Sequence, residues 1–224
     1  MLYVVPTPIG NLEDVTIRAL KILEKTELII AENSNKTKIL LNKYNIKCQI
    51  LSCNVFNEKK KIPLIVEKIK QLKSVSLVSD AGTPGISDPG YLLIRECIKL
   101  NIPVSCLPGP TAFVPALVQS GFPCEKFVFE GFLPKRKRKK RLEYLALEKR
   151  AIIIYESPYR LINTLKDLNY YFNNRKIAVA KELTKIHENV FRGKIENIIL
   201  ELEKSIIKGE YIIVLDSLNN KTDD

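Results

Sequence analysis

The sequence predicts an α/β protein of two domains, and three observations carry that prediction. Short β-rich runs alternate with amphipathic segments through the first half of the chain. The second half uses the same two element types in a less regular order. The length of 224 residues, with 46% hydrophobic and 27% charged residues, suits two cores of about 100 residues each. That composition belongs to a globular chain and excludes a disordered one.

Each element has its own reason. In the first half, strands are expected at 2–5, 28–31, 49–51, 75–79 and 103–106, all short and apolar. Helices are expected between them at 16–25, 36–44, 62–73 and 90–100. In the third helix, Ile62, Ile65, Val66, Ile69 and Leu72 keep the helical period. In the fourth, Asp88 reads as an N-cap with Pro89 at the first helical position. Such alternation requires right-handed crossovers, hence a parallel sheet with helices on both faces. In the second half, 126–129, 151–155, 176–180 and 211–215 read as strands. Segments 137–149, 158–168 (capped by Ser157) and 195–207 read as helices. The expected domains are therefore 1–118 and 119–218, followed by a polar tail at 219–224.

Charge is local in this chain. The net charge is +11, and seven of those positive charges form one run, KRKRKKR at 135–141, leaving +4 for the rest. Three of the nine arginines lie in that run, although lysine outnumbers arginine 27 to 9 overall. A cluster of this kind points to phosphate, and neutralising several phosphates makes binding strongly salt-dependent.

Several function classes are disfavoured. The first five residues hold no basic segment and are followed at once by Pro6, unlike a secretory signal. The uncharged stretch 100–124 contains five prolines, which a lipid-facing helix does not tolerate. Five cysteines without a C-x-x-C pair, and one histidine, His187, make neither a zinc site nor a disulfide framework. They read as reduced thiols of a cytoplasmic protein, and no metal is expected. Neither a G-x-x-x-x-G-K-[ST] nor a G-x-G-x-x-G motif is present, so P-loop and dinucleotide chemistry lack support.

The chemistry is expected in three Gly/Pro-rich loops that follow strands. They are PTPIGN at 6–11, DAGTPGISDPG at 80–90 and LPGPTA at 107–112. In a parallel sheet all three gather at the carboxyl edge, where open α/β folds bind their ligands. Glycine lets backbone N–H groups approach a ligand, and proline sets the loop in advance. Composition and spacing alone reach a small-molecule site at a sheet edge, in a chain that also carries a basic segment.

Seven segments in order carry a resemblance: LYVVPTPIGNLEDVTIRAL, SDAGTPGISDPGY, LPGPTA, FEGFLP, YESPYR, KELTK and GEYIIVL. With them the chain resembles the bacterial ribosomal RNA small-subunit methyltransferase I family, the RNA-modifying branch of the tetrapyrrole methylase-like enzymes. The resemblance implies two α/β domains of the tetrapyrrole methylase type, the second with a mixed sheet, and S-adenosylmethionine in the cleft between them. It further implies methylation of the ribose 2′-oxygen of a cytidine in the decoding centre of 16S ribosomal RNA, by a homodimer. The cofactor residues it implies are Pro8, Ile9, Gly10, Gly82, Thr83, Ile86, Thr111, Ala112 and Tyr155. Three departures stand out. The family's A-E-D-T-R reads Ala31-Glu32-Asn33-Ser34-Asn35 here, Tyr159 stands where histidine is common, and the sequence stops nine residues after Leu215. With the usual C-terminal extension absent, RNA affinity is expected to lean on the basic run.

Methyl transfer to a hydroxyl needs positioning and a base or nearby cation. Among the loop residues Glu32, Asp80, Glu156, Glu182 and Lys185, the catalytic candidates are Asp80 first, then Glu32 and Lys185. The RNA-contact candidates are Lys135, Arg136, Lys137, Arg138, Lys139, Lys140, Arg141 and Arg160. Two other readings remain open at this stage: a tetrapyrrole methyltransferase of the uroporphyrinogen or precorrin type, and a non-catalytic RNA-binding ribosome-assembly protein.

Overall fold

A computed structural model describes residues 1–172 and 175–218. The expected tail at 219–224 lies outside the described residues. The chain divides into two compact units, Met1–Thr111 and Ala112 onward.

The first unit is a parallel sheet of five strands: β1 (Leu2–Val4), β2 (Leu28–Ala31), β3 (Gln49–Ser52), β4 (Val75–Val78) and β5 (Val104–Cys106). Their order is β3-β2-β4-β1-β5. The connecting helices are α1 (Ile17–Lys25), α2 (Ser34–Lys43), α3 (Glu58–Gln71) and α4 (Tyr91–Lys99). Successive strand residues face opposite sides, and the core divides accordingly. Leu2, Val4, Leu28, Ile30 and Leu77 pack with Ile65, Val66 and Ile69 of α3 and Leu93 and Cys97 of α4. Ile29, Ala31 and Val78 pack on the other face with Ala19 and Leu23 of α1 and Leu40 and Leu41 of α2. The expected doubly covered parallel sheet is present.

The second unit has a mixed sheet of β6 (Phe127–Phe132), β7 (Ala151–Glu156), β8 (Lys176–Lys181), β9 (Asn189–Lys194) and β10 (Tyr211–Leu215). Its order is β6-β7-β10-β8-β9. β6 runs parallel to β7, whereas β10 is antiparallel to both β7 and β8. The carboxyl ends of β6, β7 and β8 therefore share one edge. One face is covered by α6 (Arg138–Ala146), α7 (Leu161–Tyr171) and α8 (Ile195–Leu202), which supply Leu142, Leu145, Leu165, Leu168, Ile198 and Leu202 to a single core. α5 (Phe113–Ser120) contacts β8, β9 and β10. It begins just after the division between the units, at Thr111 and Ala112, whereas the boundary expected from sequence falls within it.

Several local expectations are corrected. α4 starts at Tyr91 with Gly90 as its N-cap, so Asp88 and Pro89 lie before the helix. The reason is a buried carboxylate, Glu58, whose Oε1 accepts the Gly90 N–H at 3.0 Å. α7 starts at Leu161 behind Arg160, so Ser157 is not its cap but accepts the Arg160 N–H in a turn. α3 begins four residues before the expected position and carries Pro63 in its interior. α5 and β9 were not expected. Pro115 lies in the first turn of α5, where a missing N–H is tolerated. β9 is an edge strand of mixed polarity containing Gly193, without the apolar run of a buried strand.

Candidate functional site

The three glycine- and proline-rich loops meet at the carboxyl edge of the first sheet. Thr7 and Gly82 form an antiparallel bridge, each N–H donating to the other's carbonyl at 2.9 Å. Gly82 has φ +76°, and a Cβ there would lie 3.5 Å from Ile9 Cγ2 and 3.6 Å from the Pro110 carbonyl. Glycine thus suits the left-handed backbone, and the first and third loops lie in van der Waals reach of it. Thr83 Oγ1 donates to the Pro110 carbonyl at 3.1 Å and lies 2.7 Å from Thr111 Oγ1. Gly109 sits so close to Pro6 that an added Cβ would come within 2.7 Å of the proline Cβ. Of the expected cofactor residues, Ile9, Gly82, Thr83 and Thr111 are therefore brought together, with Pro8 and Gly10 on the first loop. Ile86 is exposed near the turn closed by its N–H to the Thr83 carbonyl, 3.2 Å.

Two of the three catalytic candidates adjoin these loops. The Asp80 backbone N–H reaches Glu32 Oε2 at 3.4 Å, and Lys36 Nζ lies 2.9 Å from Asp80 Oδ2. Asp80 Oδ1 is buried and has no hydrogen-bond partner among the described residues. Burial, and then the neighbouring Asp80 charge, raise the Glu32 pKa above the ordinary carboxylate value. Two carboxylates and one cation, one carboxylate shifted upward, thus lie together at the carboxyl edge of the first sheet. The three loops themselves contain no lysine or arginine. They suit a neutral or cationic small molecule and lack the cations that grip a polyphosphate.

The remaining candidates lie in the second unit. The Tyr155 hydroxyl accepts the Phe113 N–H at 3.1 Å, and its ring meets those of Phe129 and Phe132 edge-on at 5.1 and 5.7 Å. Ala112, immediately before Phe113, opens this unit. Lys185 Nζ is held by Glu182 Oε1 at 2.8 Å and Glu210 Oε2 at 3.1 Å; these two contacts raise its pKa against the opposing effect of burial.

The basic run separates into two sets. Glu156, 2% exposed, accepts from Arg160 Nη2 at 2.7 Å, Thr164 Oγ1 at 2.6 Å and the Ser157 N–H at 2.8 Å, with Arg138 Nη1 at 3.9 Å. Arg138 also donates to Asp167 Oδ2 at 2.8 Å and Thr164 Oγ1 at 2.7 Å. Arg141 makes a bidentate pair with Glu130. Arg138, Arg141 and Arg160 are thus engaged with the chain's own acids. Lys135, Arg136, Lys137, Lys139 and Lys140 are exposed, with no carboxylate partner among the described residues. The first turn of α6 carries no acid, so its cations oppose the helix dipole.

Comparison with known proteins fixes the family. A model described as Tetrapyrrole (Corrin/Porphyrin) Methylases matches residues 1–199. The chain is 49% identical over 215 residues to the ribosomal RNA small subunit methyltransferase I of Thermotoga maritima, covering 96% of this chain and 97% of that one. It is 46% identical to the protein of the same name from Hydrogenobaculum sp., with 97% and 96% covered. The chain belongs to the ribosomal RNA small subunit methyltransferase I family. Among solved structures, the methyltransferase CobJ superposes with a TM-score of 0.72 at 17% identity, over 96% of this chain and 93% of that one. Uroporphyrin-III C-methyltransferase from Thermus thermophilus, in complex with S-adenosylhomocysteine, gives 0.69 at 15% identity, over 97% of both chains. These neighbours show that the fold is that of the tetrapyrrole methylases.

Within this ribosomal RNA methyltransferase family, the Asn33 and Asn35 departures gain a physical reading. Asn33 Oδ1 accepts the Asn35 N–H at 3.0 Å and caps α2, work an aspartate at that position can also do. Lys36, one position beyond the arginine of the family pattern, supplies the cation paired with Asp80. Sequence reasoning missed Lys36, Glu58, Glu130, Thr164 and Asp167. Lys36 left one signal, a cation in the first turn of a helix, against the dipole. Glu58 left none, because a glutamate ahead of KKK reads as surface until its burial is seen.

Proposed function

We propose that the chain transfers a methyl group from S-adenosylmethionine to the ribose 2′-oxygen of a cytidine in the decoding centre of 16S ribosomal RNA, as a cytoplasmic homodimer. The observation that carries this reading is the 41–49% identity to ribosomal RNA small subunit methyltransferases I. That is far above the 15–19% identity to solved tetrapyrrole methylases. Five exposed cations on one segment add weight to an RNA substrate.

The residues present fit the cofactor. S-adenosylmethionine carries a sulfonium and an ammonium; the loops offer backbone groups and two threonine hydroxyls and hold no lysine or arginine of their own, and Lys36, the cation at this edge, is paired with Asp80. When bound, it supplies an activated methyl group. Pro8, Ile9, Gly10, Gly82, Thr83, Ile86 and Thr111 would hold it. The Asp80–Glu32 pair accepts the hydroxyl proton. Asp80 Oδ1 is the receiving atom, and burial together with the Asp80 charge holds the neighbouring Glu32 carboxyl above its ordinary pKa. Lys185, the third catalytic candidate, is held within the second unit by Glu182 and Glu210. Lys135, Arg136, Lys137, Lys139 and Lys140 contact phosphate, while Arg138, Arg141 and Arg160 shape the surface that presents them.

Labelled-methyl transfer to unmodified small ribosomal subunits, compared with free RNA and with uroporphyrinogen, tests the substrate. Label in RNA is the expected result. Label in the tetrapyrrole alone overturns the reading.

A further inference from the structure

We propose that Tyr159 is a stacking platform for an unpaired RNA base beside the basic segment; this rests on the reading of the chain as an RNA-modifying enzyme. Tyr159 is 94% exposed, and its ring has no ring or cation partner among the described residues. Yet the turn carrying it is fixed. The Arg160 N–H donates to the Ser157 carbonyl at 3.1 Å, and Ser157 N–H and Arg160 Nε both donate to Glu156 Oε1 at 2.8 Å. Pro158 restricts the intervening backbone. A rigid turn presenting a bare aromatic ring is pre-organised for binding, because little freedom remains to be lost.

The same knot joins Tyr159 to the cations. Arg160 Nη1 donates to the Leu133 carbonyl at 3.3 Å, two residues before Lys135, and Arg138 reaches Glu156 from the start of α6. Glu156 thereby ties the turn that carries Tyr159 to the start of α6, which directly follows the exposed residues Lys135, Arg136 and Lys137. An aromatic face beside several unpaired cations matches single-stranded nucleic acid, whose bases stack and whose phosphates need neutralising. A paired A-form helix offers no open base face. A protein partner is disfavoured, since lysine is depleted at protein interfaces.

The test uses the full chain with three substitutions. Tyr159→Ala is expected to weaken binding to unmodified small ribosomal subunits about 5- to 140-fold, as loss of one stacked base should. Tyr159→Phe keeps the ring and is expected to retain binding. Tyr159→Trp introduces the sole tryptophan of the chain, and its emission is expected to be quenched by a single-stranded oligoribonucleotide. Tyr159→Ala should keep its affinity for S-adenosylmethionine and its thermal midpoint, which separates stacking from folding. Parental binding by Tyr159→Ala, or an unquenched tryptophan, overturns the proposal and leaves the RNA reading standing. Loss of self-association in Tyr159→Ala would assign the ring to a second copy of the chain and likewise overturn it. A parent chain that binds no subunits sinks both readings.

Discussion

Glu32 and Asp80 concentrate the residue-scale chemistry. Glu32 is protonated more readily in the folded chain than in the unfolded one, because burial and the Asp80 charge raise its pKa. Its contribution therefore favours the fold at acid pH and is lost as pH rises through the folded pKa. Glu32→Gln removes that charge, so thermal unfolding at pH 7 is expected at or above the parental midpoint, with the difference fading at low pH. The same variant, like Asp80→Asn, should lower kcat by about 10²- to 10⁴-fold, the usual contribution of a general base. The parental rate should fall on the acid side as Glu32 takes up its proton, at a pH above that of an ordinary glutamate. Midpoint and kcat moving down together in Glu32→Gln would contradict a functional origin for the raised pKa. At Gly109, alanine would place a Cβ 2.7 Å from Pro6 Cβ, and neither backbone has a flexible side chain that can yield. Gly109→Ala is expected to lose about 1–3 kcal/mol of stability. Calorimetry should show weaker S-adenosylmethionine binding as the first and third loops separate.

At the scale of elements, α6 is the informative case. Its first turn holds Arg138, Lys139, Lys140 and Arg141, and the dipole disfavours every one of them. Glu156, Asp167 and Glu130 offset that by taking the two arginines. Glu156→Gln leaves Arg138 and Arg160 without their buried counter-charge, and a loss of about 3 kcal/mol in chemical denaturation is expected. Replacing Lys135, Arg136, Lys137, Lys139 and Lys140 by glutamine should not lower that stability, and relief of the dipole at Lys139 and Lys140 should raise it slightly. Subunit binding should weaken, and its salt slope should flatten by about 0.7 for each phosphate no longer neutralised. An unchanged slope would remove the segment from the RNA surface. These contrasts also show what was legible. The run at 135–141 is visible as charge, but its division into paired arginines and unpaired residues depends on Glu130, Glu156 and Asp167, which are distant in sequence. The parallel sheet was readable because buried strands such as β2 are continuous apolar runs. β9 and the cap of α4 were not, because an edge strand needs no apolar run and the Gly90 N–H is held by a glutamate 32 positions away.

For the molecule as a whole, the +11 charge separates into parts with different work. The ligand loops of the first unit contain no cation, while the second unit gathers exposed cations and an exposed ring at the edge shared by β6, β7 and β8. Three loops at one sheet edge were readable from glycine and proline placement. The Asp80–Glu32–Lys36 cluster was only half readable, since two candidates were visible and the cation was not. One measurement tests the central claim most directly. Unmodified small ribosomal subunits are incubated with the chain and methyl-labelled S-adenosylmethionine, and the ribosomal RNA is then hydrolysed in alkali. A methylated 2′-oxygen cannot attack the adjacent phosphodiester, so the predicted result is label in one alkali-resistant dinucleotide that begins with cytidine. Label in mononucleotides, or none in RNA, would contradict the account.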